Sequence, residues 1–282
     1  MGFFRSESMN LSTSGNRSFF ILIYLMGVSV LGLSAAPRSH AAPQQRDKSS
    51  SSAPTKSKDY VKKTFQAKDG TTIDYWVMSP SHIEEGRKYP LVLALHGRGG
   101  NTTAATQLGL RERREEFPCY VIAPTSTKDG HWARPEGQNP RRKKQQNTKA
   151  MLPAALEAID SFVSGNPVDT DRIYVTGQSM GGAGTFGAMA LRPGFFAAAI
   201  PVAGGWSPTD ANKMKDIAIW VFHGDDDKVV PTDYSRQMVE AIKQAGGSPK
   251  YTEYKGVGHD SWSQTYASDE TWDWLFQQSL AK

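Results

Sequence analysis

A single cysteine in 282 residues removes any intrachain disulfide, in an oxidising compartment as much as in a reducing one. That residue, Cys119, lies in the apolar run FPCYVIAP and is expected to be a core residue, not a reactive thiol. Metal chemistry has no foothold either: the six histidines never stand at ligand spacing, so no metal site and no cofactor are expected. A phosphate cradle is missing by one residue. HGRGGNT follows an apolar run, but Thr102 stands where GxGxxG needs its third glycine, which sets a nucleotide-binding enzyme aside. Long apolar runs are absent: the N-terminal FFILIYLMGVSVLGL covers 15 residues, Phe19 to Leu33, short of the ~20 that a membrane-spanning helix needs. Neither an internal repeat nor a charge-depleted linker divides residues 59–282, so one domain is expected there.

What is present begins with that short apolar run. Arg5 and Arg17 precede it and SAAPRSHAAP follows, the three-part pattern of a signal peptide over residues 1–41 with cleavage after Ala41. The expected location is secreted or periplasmic, with no stable membrane insertion after cleavage. Residues 42–58, PQQRDKSSSSAPTKSK and its neighbours, are too poor in apolar side chains to repay ordering and are expected to be a flexible leader. The formal charge of +5 is concentrated between Lys128 and Lys149, where seven basic residues meet two acidic ones. With no aromatic interleaving or recognition motif there, RRKK at 141–144 reads as a solvated segment, and no nucleic-acid partner is expected.

From Lys62 onward, β-rich runs alternate with helix-period segments, the pattern of an α/β fold with a mostly parallel sheet. VKKTF and TIDYWVM form an opening antiparallel hairpin. YPLVLALH, CYVIAP, RIYVTG, FAAAIPVAG, IAIWVFHG and KYTEYKG complete about eight strands. The middle runs are apolar nearly throughout, as strands buried on both faces are. Leu152, Leu156, Ile159 and Val163 mark one helix; Tyr234, Met238 and Ile242 another; Trp272, Leu275 and Phe276, after Ser268, a last one.

Between RIYVT and AGTFGAMAL stands GQSMGG. A strand, a GxSxG turn and a helix from about Ser179 make a nucleophile elbow. Gly177 and Gly181 keep side chains out of the crossing of strand and helix, and the Met180 amide is aimed where negative charge develops. Serine is a weak nucleophile without a base. His259, in the glycine-bearing YKGVGHDSW, offers one, and the acidic cluster in HGDDDKVVP, at the end of a buried strand, offers a group to orient it. Its three aspartates are equivalent on composition alone.

LALHGRGGN, VTGQSMGGAGT, FHGDDDKVVP and YKGVGHDSW, in that order, resemble the α/β-hydrolase superfamily, and within it the exported esterases of the feruloyl esterase, polyhydroxyalkanoate depolymerase and prolyl-oligopeptidase-like group. The resemblance covers residues 62–280. It implies an α/β-hydrolase fold, a mostly parallel central sheet of about eight strands flanked by helices on both faces. Its HGxxDxxVP pattern implies Asp227 as the acid, with Asp225 and Asp226 left as turn residues. HGRGG matches the oxyanion loop, which implies the Arg98 amide as second donor beside Met180, with Gly99 as the alternative. The implied activity is that of a serine carboxylesterase acting on small or polysaccharide-linked esters, feruloyl or acetyl esters of carbohydrates first. A peptidase of the oligopeptidase type and a polyester depolymerase are the alternatives, and a binding protein on a retired scaffold is disfavoured because every triad member is present.

Three tryptophans are candidates for the substrate rim. Trp132, in KDGHWARPEGQNP, is either a stacking platform for an aromatic acyl group or sugar, or a loop residue pinned to the core. Trp206 in AGGW and Trp262 beside His259 are the others. His96 and His223 each precede a glycine at a strand end and are expected to be satisfied by local hydrogen bonds.

Overall fold

The structure, a computed structural model, describes residues 59–100, 102–127, 130–134 and 149–280. The expected signal peptide and leader (1–58), and most of the basic segment including RRKK, lie outside the described residues.

Strands β1 (Tyr60–Gln66) and β2 (Thr72–Met78) form an antiparallel hairpin, and β2 pairs antiparallel with β4 (Tyr120–Thr125). Strands β3 (Tyr89–Leu95), β5 (Val168–Gln178), β6 (Ala198–Val202), β7 (Ala218–Gly224) and β8 (Lys250–Tyr254) complete an eight-stranded sheet. Its order is β1-β2-β4-β3-β5-β6-β7-β8, parallel from β4 onward.

The uniformly apolar strands are central because they are covered twice. In β3 every residue is buried, and alternate side chains serve opposite faces. Leu91, Leu93 and Leu95 join one apolar cluster with Leu152, Leu156, Ile159 and Phe162 of helix α3 (Leu152–Ser164), Phe186 and Met189 of α4 (Met180–Leu191), and Met238 and Ile242 of α5 (Asp233–Gln244). Val92 and Ala94 join the other, with Ala104, Ala105 and Leu108 of α1 (Thr103–Leu108), Tyr266 of α6 (Trp262–Ala267), and Trp272 and Leu275 of α7 (Asp269–Phe276). The crossover connections of a parallel sheet require helices on both faces; the three helices expected from apolar spacing are α3, α5 and α7, and the one expected after the GxSxG turn is α4.

Other elements escape the sequence pattern. Helices α1, α2 (Arg111–Glu116) and α6 have six residues each, less than two turns, too short for an apolar period to repeat. RERREE in α2 has no apolar residue at all. Strand β5 begins four residues before RIYVTG because Tyr89 pairs with Val168 across a register shift, a pairing that the polar VDTD conceals.

Candidate active site

The carboxyl ends of β3, β5 and β7 lie close together and place three loops on one edge of the sheet, where ligands of open α/β sheets bind. At the end of β5 the chain turns through Ser179 into α4, with Ser179 at φ 55° and ψ −115°. A non-glycine residue rarely holds this conformation, and it persists where the surroundings over-determine it. Here the Ser179 amide donates to the Val202 carbonyl at 2.9 Å, and the Ser179 carbonyl accepts from Ala183 at 3.0 Å. A methyl group at Gly177 would stand 2.5 Å from the Gly181 carbonyl oxygen, and one at Gly181 would collide with the Leu95 carbonyl. Strand and helix therefore cross at backbone distance, and the turn exposes Oγ.

His259 Nε2 lies 2.9 Å from Ser179 Oγ, and His259 Nδ1 lies 2.7 Å from Asp227 Oδ2. Nδ1 faces a carboxylate, so it carries the ring proton and leaves Nε2 bare to accept from the serine hydroxyl. The His259 loop is seated against β7: Asp226 N–H donates to the Val257 carbonyl at 3.0 Å, and a side chain on Gly224 would strike Val257 and Gly258.

The three aspartates of the acidic cluster separate by their partners. Asp225 accepts from the Gly256 amide at 2.6 Å, and Asp226 pairs with Lys228 on the surface. Asp227 alone is buried. Its Oδ1 accepts the Val229 and Val230 amides at 2.8 and 2.9 Å, and its Oδ2 faces His259 and, at 3.1 Å, Nε2 of His223. Burial pushes its carboxyl up, but the bonds from His259 and the two amides outweigh it and hold the group below the usual carboxylate value.

The HGRGG loop closes the third side. A Cβ on Gly97 would lie 3.5 Å from the Cβ of Ser179, so this loop runs directly beside the elbow. It is held at both ends. His96 Nδ1–H donates to the Gly97 carbonyl at 2.6 Å while its Nε2 accepts the Ser126 amide at 2.9 Å, and Gln178 Oε1 accepts the Thr103 amide at 3.0 Å. A cleft of about 270 Å³ opens here, with His96, Arg98, Gly99, Ser126, Thr127 and Met180 among its lining. The two residues whose amides were expected to receive an oxyanion thus share one cleft, and the exposed Arg98 side chain is on its wall.

Two of the three tryptophans are elsewhere. Trp132 is 0% exposed, donates its indole N–H to the His96 carbonyl at 2.8 Å and packs against Gly184. Trp206 is 5% exposed, donates to Asp210 at 2.8 Å and packs against Gly187. Neither ring face is open to a ligand, which decides Trp132 for the core-pinned alternative and corrects the rim candidacy of Trp206: small residues on α4 leave slots that indoles fill. Trp262 is half-buried, with its ring edge-to-face against His259 at 5.0 Å between centroids.

The second contact of Asp227, through His223, was not foreseen; the sequence signal was the histidine four residues earlier in FHGDDD, read as locally satisfied.

A family model described as phospholipase/carboxylesterase matches residues 82–269. The chain belongs to this family. Phospholipase/carboxylesterase members share the α/β-hydrolase fold found here, which makes the chain a serine hydrolase by descent. A probable feruloyl esterase C from Aspergillus niger is 26% identical over 200 residues, which cover 68% of this chain and 69% of the relative. A poly(3-hydroxyalkanoate) depolymerase C from Paucimonas lemoignei is 30% identical over 132 residues, 44% of this chain and 30% of the relative. A thermostable esterase of solved structure superposes with a TM-score of 0.71 at 36% identity over 78% of this chain, which spans 63% of that esterase.

Proposed function

We propose that the chain is an exported carboxylic ester hydrolase that works through Ser179, His259 and Asp227 and acts on short-chain or feruloyl and acetyl esters of carbohydrates. One observation carries the reading: an unbroken hydrogen-bonded path from Asp227 Oδ2 through His259 to Ser179 Oγ, with links of 2.7 and 2.9 Å, at a serine held in a strained elbow.

The reaction follows from this geometry. Ser179 Oγ attacks the ester carbonyl carbon as its proton passes to His259 Nε2, and the carbonyl electrons move to an oxyanion held by the Met180 and Arg98 amides. Asp227 keeps the Nδ1–H tautomer and stabilises the imidazolium. The tetrahedral adduct collapses, the C–O bond to the alcohol breaks, and the leaving oxygen takes the proton from Nε2. Water then attacks the acyl-serine by the same route, and its proton passes through Nε2 back to Ser179 as the acid leaves. Export is supported by the N-terminal sequence pattern, and the carbohydrate ester by the name of the Aspergillus relative and by a small cleft lined in part by Ser126 and Thr127.

A fluorophosphonate adduct mapped to Ser179 by mass spectrometry, and an ester panel from acetate through long acyl chains to methyl ferulate, test the reading. Turnover of the short and feruloyl esters is expected. No adduct would refute the nucleophile; preference for chains beyond about ten carbons, longer than a cleft of this size buries, would refute the substrate class.

A further inference from the structure

Asp227 has two imidazoles on one oxygen. His259 approaches Oδ2 through Nδ1, and His223, on β7, through Nε2 at 3.1 Å. Nε2 of His223 also lies 3.0 Å from the Val230 carbonyl. Both neighbours are acceptors, so Nε2 must carry a proton. Burial pushes the His223 imidazole down, so the ring is neutral and Nδ1 is a bare lone pair. Facing it at 2.7 Å is the Ser235 hydroxyl of α5. That hydroxyl, itself buried, has one proton and two acceptors within reach, Nδ1 and the Gly204 carbonyl at 2.9 Å to which it donates, so the Nε2–H tautomer is set by the two acceptors at Nε2, and the serine oxygen marks where the far side of the ring sits. Among the described residues, the charged or titratable groups around His223 are Asp227, His259 beyond it, and Glu253 of β8, which is paired with Arg236.

We propose that His223 is a positioning residue for the triad: its Nε2–H, on a ring seated against Ser235, holds Asp227 Oδ2 at the angle that serves His259. The proposal rests on the reading of Ser179, His259 and Asp227 as the catalytic set. Two backbone amides pin Oδ1, and without His223 the second oxygen would have a single donor that changes its protonation during every cycle. A carboxylate held at only one end can rotate about its Cβ–Cγ bond; held at both, its carboxylate plane is defined before His259 becomes charged. The donor on Oδ2 also stays constant while His259 gains and loses its proton at Nε2.

The test uses the folded full chain with a short-chain p-nitrophenyl ester. His223→Leu fills the buried volume without a donor; a hydrogen bond to a charged group is worth enough that kcat should fall on the order of 10- to 100-fold. KM should stay within about threefold, because no substrate contact is lost. His223→Gln places an amide N–H near the position of Nε2 and should recover most of the lost kcat. Ser235→Ala, a small change that keeps the ring and its Nε2–H, should lower kcat about fivefold, because the ring loses the contact that seats its far side. Melting temperatures separate folding from catalysis. Equal loss in the Gln and Leu variants, unchanged kcat in both His223→Leu and Ser235→Ala, or a rise in KM at constant kcat would each overturn the proposal. Wild-type chain labelled at Ser179 but indifferent to these changes would refute the positioning role alone, whereas no labelling of wild type would remove the hydrolase reading and this role with it.

Discussion

In the proposed reaction Ser179 and Asp227 do different work, and their replacement should show it. Removing the nucleophile by Ser179→Ala is expected to lower kcat ~10⁶-fold, while Asp227→Asn, which leaves the shape but offers His259 Nδ1 the wrong partner, should cost ~10⁴-fold. Steady-state hydrolysis of one ester by the two variants checks the order, and equal losses would contradict the orienting role of Asp227. The serine and the histidine stand out in the sequence because each sits in a glycine-bearing turn after a strand, and the structure brings the two side chains within 2.9 Å. The acid was not legible from composition, since Asp225, Asp226 and Asp227 are adjacent and alike; only the family pattern chose, and its physical basis is that Asp227 alone turns inward to two amides and two imidazoles. Trp132 was left open by the sequence for another reason. An indole in a polar loop after a strand has the same sequence signature whether it faces a substrate or the core, and here a slot beside Gly184 decides. Trp132→Ala should therefore cost about 3–5 kcal/mol of stability, read as a lower urea midpoint; an unchanged midpoint with a raised KM would restore it to the rim.

At the scale of elements, the crossing of β5, α4 and β3 is the most demanding part of the fold. Gly181→Ala adds one methyl group against the Leu95 carbonyl, and relief requires moving a central strand or helix α4. The expected cost is about 1–3 kcal/mol, as for overpacking generally, together with lost activity, since the displaced helix carries the Met180 amide. Thermal melts and ester turnover on the same preparation check both. The central strands were legible as continuous apolar runs because they are covered on both faces, and α3 and α5 because their apolar stripes repeat over three turns. The six-residue helices were not, since so short a helix is formed by its packing neighbours and not by its own pattern.

For the molecule as a whole, the buried histidines set how stability responds to acid. Burial pushes the imidazoles of His96 and His223 below their ordinary value of 6.5. Below about 6.5 the unfolded chain therefore binds protons that the folded chain refuses, and stability must fall as pH drops through that range. The depressed carboxyl of Asp227 acts in the same direction but in another window: its contribution is complete above its ordinary 3.8 and is lost only as pH falls through its lower folded value. Melting temperature should accordingly decline from pH 7 to pH 5, with a shallower slope in His223→Gln; a flat profile would contradict the buried neutral rings. The strained serine has a further consequence, one for how such a chain can be improved. A left-handed serine costs of the order of 1–3 kcal/mol, and glycine, free of that cost, gives back about 0.5–1 kcal/mol in chain entropy. Ser179→Gly should thus melt higher than the wild-type chain while hydrolysing nothing. Selection for heat resistance alone would drift towards discarding the proposed nucleophile, so any screen for a hardier variant has to read turnover and melting together.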